Sequence, residues 1–239
     1  MFYPFENSED IYALAAEAVF SPDSAMHPLC LLAANELQTH IQQRDWPHNF
    51  GLSGDLENVL GKMFGVLVVR TADNRLGYLA AYSGKLANSN THAGFVPPIF
   101  DGMEEGGFLT AGMTLLTRMS EEINRLEDEE EINSLKALRK EHSISLQKRI
   151  YEQYNFINRA GVSKSLIEIF EEAAYKNPPA GAGECAGPKL LQYAFQQGME
   201  PIAMAEFWWG LSAKSTWMHK EFYTPCKERC GPILNYMLS

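Results

Sequence analysis

The sequence has no run of about 18 consecutive apolar residues, the length a helix needs to cross a bilayer, so no membrane span is expected. It has no excess of positive charge either. Twenty Lys and Arg stand against 30 Asp and Glu, giving a net charge of −10. Bulk charge therefore excludes a dedicated basic nucleic-acid binder, although a local basic face remains compatible with RNA contact. The first residues, MFYPFENSED, lack a basic segment followed by an apolar one, so no secretory signal is expected. Cysteine is scarce at four residues, too few for a disulfide framework in 239, and a reducing cytoplasm is the expected setting. There is no G-x-G-x-x-G, Walker loop, H-E-x-x-H or G-x-S-x-G, which removes the usual dinucleotide, nucleotide, zincin and serine-hydrolase signatures.

What is present is a globular composition, 46% hydrophobic and 11% aromatic. Residues 7–19 read as a short helix opened by Asn7 or Ser8. "HPLCLLAANELQTHIQQ" is a clearer one, with Pro28 in its first turn and Leu29, Leu32, Ala33, Leu37 and Ile41 at helical spacing. "KMFGVLVVR" and "RLGYLAAYSG" form the best hairpin signal, two apolar strands of a sheet covered on both faces, joined at residues 71–74. From Leu115 to about Lys176 charge dominates and Gly and Pro nearly vanish. That stretch reads as one or two long helices, an antiparallel pair or a coiled-coil arm, with a stripe that includes Ile132, Leu135, Leu138 and Leu146. Beyond the break at "NPPAGAGEC" come a helix closing at Gly198, a strand "EPIAMAEFWWG", and a last helix over "PCKERCGPILNYML" interrupted at Gly231-Pro232.

These elements imply an α/β fold: a mixed sheet flanked by helices, with a long charged helical insertion. The chain divides into residues 1–114 (helices and hairpin), 115–176 (the insertion) and 177–239 (helix–strand–helix, the cysteine-containing part of the same α/β domain).

Cys226 and Cys230 are four residues apart, and Cys185 stands at another helix start. If neighbouring parallel strands bring those starts to one sheet edge, the three thiols meet and zinc is the candidate metal. The alternative of free packed thiols stays open. His219 has a spacing compatible with a fourth ligand, while Cys30, with His27 three residues before it, reads as a packed thiol and His142 as a core histidine. Lys136, Arg139, Lys140, Lys148 and Arg149 form a basic stretch, read either as a solvated helix face or as a ridge that touches RNA phosphate. Trp208 and Trp209, with Trp217 nearby, are candidates for stacking on bases or for core packing.

The three-thiol set and the element order resemble nucleobase deaminases, whose motif places Ala-Glu after the first ligand and Pro-Cys-x-x-Cys at the next helix. Here Gly187 occupies the glutamate's place after Cys185-Ala186, and the pair is C-x-x-x-C. The resemblance therefore implies a scaffold without its proton carrier, and no catalytic residue is assigned.

A second resemblance covers essentially the whole chain. "HPLCLLAANELQ", "GKMFGVLVV", "GYLAAYSGKLANSN", "HAGFVPPIFD", "PPAGAGECAGPKLLQYAFQQGMEPIAMAEFWWG" and "YTPCKERCGPILNYML" together resemble the long N-terminal region of bacterial RluA-type RNA pseudouridine synthases. It implies an accessory domain that packs on a downstream synthase domain and helps position structured tRNA or rRNA. The family's catalytic H-R-L-D is absent, the nearest text being Arg125-Leu126-Glu127-Asp128. Two alternatives are a zinc-dependent deaminase-like enzyme and an interaction scaffold that dimerises through the helical arm.

Overall fold

The structure is a computed structural model that describes residues 1–22, 26–102, 107–175, 177–212 and 216–239. Its centre is the expected hairpin, β2 (Lys62–Arg70) and β3 (Leu76–Tyr82), in which β3 is buried throughout. A short N-terminal strand, β1 (Phe2–Pro4), pairs with β3. On the other side β6 (Glu200–Trp209) pairs with β2, and β7 (Phe222–Tyr223) pairs with β6. The order is β1-β3-β2-β6-β7, and every pair is antiparallel.

The expected mixed sheet is therefore corrected. In its register β6 sets Glu200 opposite Arg70, and an ion pair of 3.2 Å joins the two at the strand ends. The fold is nevertheless α/β in the coarse sense, with helices on both faces. One face is covered by α1 (Glu9–Ala16) and α2 (Pro28–Gln43), which pack with Phe64, Val66, Val68, Tyr78 and Phe207. The other is covered by α6 (Ala186–Gln196), α5 (Leu166–Glu172) and α7 (Gly231–Leu238), packed with Leu67, Val69, Leu79 and Ala81. This two-sided burial is why both hairpin strands are continuously apolar.

The charged stretch folds as two helices, α3 (Phe108–Ile123) and α4 (Glu129–Gln153). Asp128 caps α4 by accepting the N–H groups of Glu130 and Glu131. The pair runs antiparallel: Arg139 Nε donates to Ser120 Oγ at 2.7 Å, and the Arg149 guanidinium lies 4.4 Å from the Phe108 ring. The hairpin begins before the composition shift at Leu115, because the apolar first turns of α3 already pair with α4. A two-stranded ribbon, β4 (Asn155–Ile157) with β5 (Ser163–Ser165), links α4 to α5. Among the described residues no helix is long and apolar enough to cross a membrane.

The helix α6 sits unusually close to the sheet. A Cβ on Gly65 of β2 would lie 3.0 Å from Ala186 Cβ and 3.1 Å from Leu190 Cδ1. Gly65→Val should therefore destabilise the protein by about 1–3 kcal/mol through overpacking. Urea unfolding measures this, and an unchanged midpoint would show that α6 does not bear on the sheet at this point.

Candidate metal centre

Cys185 is the N-cap of α6 and Cys230 the N-cap of α7, and neither makes a side-chain capping bond. Two helix N-termini, each with positive partial charge, thus present a thiol. Cys226 joins them from a turn. The N–H groups of Cys230 and Gly231 both donate to the Cys226 carbonyl at 3.1 Å, closing residues 226–231 into a single turn.

That turn corrects the expectation that the pair lies within the first turn of the last helix. Pro232 has no N–H and tolerates a helix only in its first positions, so α7 starts at Gly231. The convergence holds by another route: the three sulfurs lie within 4.8 Å of one another, and those of Cys226 and Cys230 are 3.4 Å apart. A tetrahedral zinc–thiolate site, with Zn–S of about 2.3 Å, requires sulfurs about 3.8 Å apart, so this donor set fits such an ion.

Hydrogen bonding with Cys185 and then Cys230 holds the Cys226 thiol far below its usual range. The same contacts push Cys230 up, that with Cys185 contributing most. Cys185 is raised to about 12, mainly by its hydrogen bond with Cys226. Cys226 is thus the thiol that ionises first.

A carboxylate stands beside this cluster, contrary to the expectation that the rim lacks one. Glu206, on β6, is 5% exposed, and its Oε1 accepts the Gly187 N–H at 2.9 Å. A Cβ on Gly187 would fall 3.5 Å from that oxygen. The acid thus occupies the space beside residue 187, reached from the sheet rather than from the helix. Motif spacing along α6 could not find it; the signal available was a lone Glu within the apolar strand "PIAMAEFWW". Burial raises its pKa to about 7, against the Gly187 hydrogen bond, with the charge of Cys226 adding to the rise. Glu206 also lines a small cavity of about 180 Å³ with Met204, Phe222, Tyr223 and Pro225.

Glu184 is engaged by Tyr154 and Lys189, its carboxylate taking the hydroxyl of the first and pairing with the second at 3.6 Å. Lys189, 3% exposed, also donates to the carbonyls of Tyr82 (3.2 Å) and Gly84 (3.3 Å). Burial lowers its pKa, and Glu184 opposes that shift.

The other candidates disperse. His219 Nδ1 accepts the Gly210 N–H at 3.0 Å and its ring packs on Trp209, outside the thiol group. His27 caps α2 through the Leu29 N–H, and Cys30 is fully buried, a packed thiol. His142 is exposed on α4, which corrects its reading as a core residue. Lys136, Lys140, Lys148 and Arg149 are exposed, while Arg139 is half-buried against α3. At helical spacing Lys136 and Lys140 are neighbours and Arg149 lies across the helix, so the five cations do not share one face. Trp208 is half-buried and stacked on Trp217 with centroids 5.8 Å apart, and Trp209 is 3% exposed, which leaves it no free face for a base.

No protein-family model, curated protein or solved structure matches the chain.

Glu206 yields a pH prediction for the metal-free protein. Below its ordinary value of 4.5 the carboxyl is protonated in both folded and unfolded chains; between 4.5 and about 7 the unfolded chain ionises while the folded one keeps the proton. Stability should therefore fall as pH rises through that window, by about 3 kcal/mol. Glu206→Gln should flatten the profile in urea titrations run from pH 4 to 8; a variant that keeps the full slope would place its origin elsewhere.

Proposed function

We propose that this chain is a zinc-thiolate accessory domain of an RluA-type RNA pseudouridine synthase, packing on the synthase domain and helping to position structured tRNA or rRNA. The observation that carries the reading is the meeting of Cys185, Cys226 and Cys230, remote in sequence, within 4.8 Å. The family assignment is supported by the segments that resemble such synthases. They supply α2, β2, β3, α6, β6 and α7, the elements that build the sheet and the cysteine cluster. The RNA role is supported by the exposed Lys136, Lys140 and Lys148 on a helical hairpin whose sequence lies outside those segments. The net charge of −10 makes the contact auxiliary, with the synthase domain providing most of the affinity.

Glu206 favours a second reading, a hydrolytic centre of deaminase-like design. Zinc held by the three thiols would supply Lewis acidity. Glu206, whose pKa burial raises to about 7, is a carboxyl able to take and return one proton beside the cavity it lines. The residue is not where the deaminase motif has it, yet its carboxylate reaches the same first turn of α6.

Metal analysis of the purified protein should find about one zinc per chain, lost in Cys185→Ser and Cys230→Ser. At free zinc 100-fold above Kd the ion adds about 3 kcal/mol, so chelation should lower Tm by roughly 5–10 °C. A metal-free protein with an unchanged Tm would defeat the zinc-centre reading. Filter binding of tRNA and rRNA fragments across a salt series should show weak, salt-sensitive affinity that drops in Lys136→Ala/Lys140→Ala. Absence of affinity at low salt would leave a purely structural accessory role. Ammonia release from cytidine or adenosine that disappears in Glu206→Gln would favour the second reading over the first.

A further inference from the structure

On the sheet face opposite the cysteines, the loop after α2 folds around a cavity of about 730 Å³. That volume falls within the range of small-molecule sites, about 300–1,000 Å³.

The loop is fastened in place rather than draped. Asn49 donates to the carbonyls of Asp55 (3.1 Å) and Glu57 (2.8 Å) and accepts the Gly51 N–H at 2.7 Å. Its backbone carbonyl receives the Leu60 N–H, and that of Phe50 receives the Leu211 N–H at 2.8 Å. The walls are therefore set before any ligand arrives, which lowers the ordering cost of binding.

Two cations border the cavity, each over an aromatic ring: Arg44 is 4.2 Å from the Trp46 centroid and Lys220 is 5.6 Å from that of Trp209. Among the described residues neither forms an ion pair, and Arg44 spends one N–H on the Ala93 carbonyl. Two carboxylates, Asp45 and Asp55, border the same cavity. The histidines there have definite tautomers when neutral. His48 donates from Nε2 to the Leu60 carbonyl at 2.6 Å, and His219 accepts at Nδ1, which leaves its Nε2 as the donor.

This set discriminates among ligand classes. A neutral apolar ligand would make no use of the exposed Arg44 and Lys220 at the rim. A simple anion would face Asp45 and Asp55 with no donors to offer them. A nucleotide answers both requirements: its phosphate pairs with the cations, its ribose hydroxyls or base amino group donate to the carboxylates, and its base lies beside the half-buried Trp46 that lines the cavity.

We propose that this cavity is a nucleotide site, recognising one base–ribose–phosphate unit, either as a free mononucleotide or as an unpaired residue of RNA. It goes beyond the zinc-thiolate reading, since it shares no residue with the cysteine cluster, and it relocates the base contact from Trp208 to the pocket beside Trp46.

The test uses intrinsic tryptophan fluorescence and calorimetry with UMP, AMP, the nucleosides uridine and adenosine, inorganic phosphate, and a short single-stranded oligonucleotide. A nucleotide or the oligonucleotide should bind, with the nucleoside and phosphate each at least about tenfold weaker. Tighter binding of the oligonucleotide assigns the site to RNA, and tighter binding of the mononucleotide to a free metabolite. Lys220→Gln, checked to melt like the parent, should weaken nucleotide binding about fivefold and leave nucleoside binding within about twofold, the effect of losing one charge-assisted contact. Arg44→Gln should act in the same direction. Absence of binding by every probe at 5 mM, or nucleotide affinity unchanged in both variants, would overturn the proposal. Zinc content and the α4 variants report separately on the accessory-domain reading.

Discussion

The seating of α6 on the sheet is the constraint from which the cysteine cluster follows. Gly65 on β2 lets the helix approach until Ala186 and Leu190 touch the strand, and Gly187 faces Met204 and Glu206 across β6 without a side chain of its own. With bulkier residues at either position the first turn of α6 would lift, and Cys185 would rise with it away from Cys226 and Cys230. Lys189 fixes the same turn from the opposite side by binding the carbonyls of Tyr82 and Gly84 at the end of β3. A helix so held cannot slide along the sheet, and its N-cap becomes a fixed point for the turn that precedes α7.

The elements with strong local signals were legible in the sequence. The β2–β3 hairpin, α2 and β6 follow from apolar runs bounded by turn residues, and α1 from its Ser8 cap. The antiparallel alignment of β6 was not, because its sequence constrains which face is buried but not its direction beside β2. The α3–α4 hairpin was half legible. Charge density marked α4, but α3 begins at Phe108, before the charged stretch, and its packing depends on details such as Gly112, where a Cβ would lie 2.7 Å from Leu146 Cδ1.

The same division runs through the site. Three cysteines at helix starts could be picked out because cysteine is rare and its spacing is a pattern. Parallel strands would bring them to one sheet edge, whereas the structure joins them through two helix caps and a turn. Glu206 escaped notice because its relation to Gly187 spans a helix and a strand, and one glutamate within an apolar strand reads as an edge residue. The tryptophans show the opposite error. The conspicuous Trp208–Trp209 pair is largely absorbed in packing, Trp209 reaching the 730 Å³ cavity with only 3% of its surface exposed, whereas Trp46, an isolated aromatic in a polar loop, borders that cavity half-buried.

Glu206 also serves the helix start structurally. Helix starts leave backbone N–H groups without partners, and Glu206 satisfies one of them at Gly187. Most other helices in this chain solve that problem locally: Ser8, His27, Asp128 and Ser165 cap α1, α2, α4 and α5 with their own side chains. At α6 the cap position is given to Cys185, whose sulfur faces the other two thiols and bonds no helix N–H. A serine or aspartate there would cap the helix well and would not require a carboxyl to be buried in the sheet, at a desolvation cost that lifts its pKa to about 7. The arrangement makes physical sense when the thiol has a task that a capping hydroxyl cannot perform. Capping has been transferred to the strand, and the cap position has been released for sulfur.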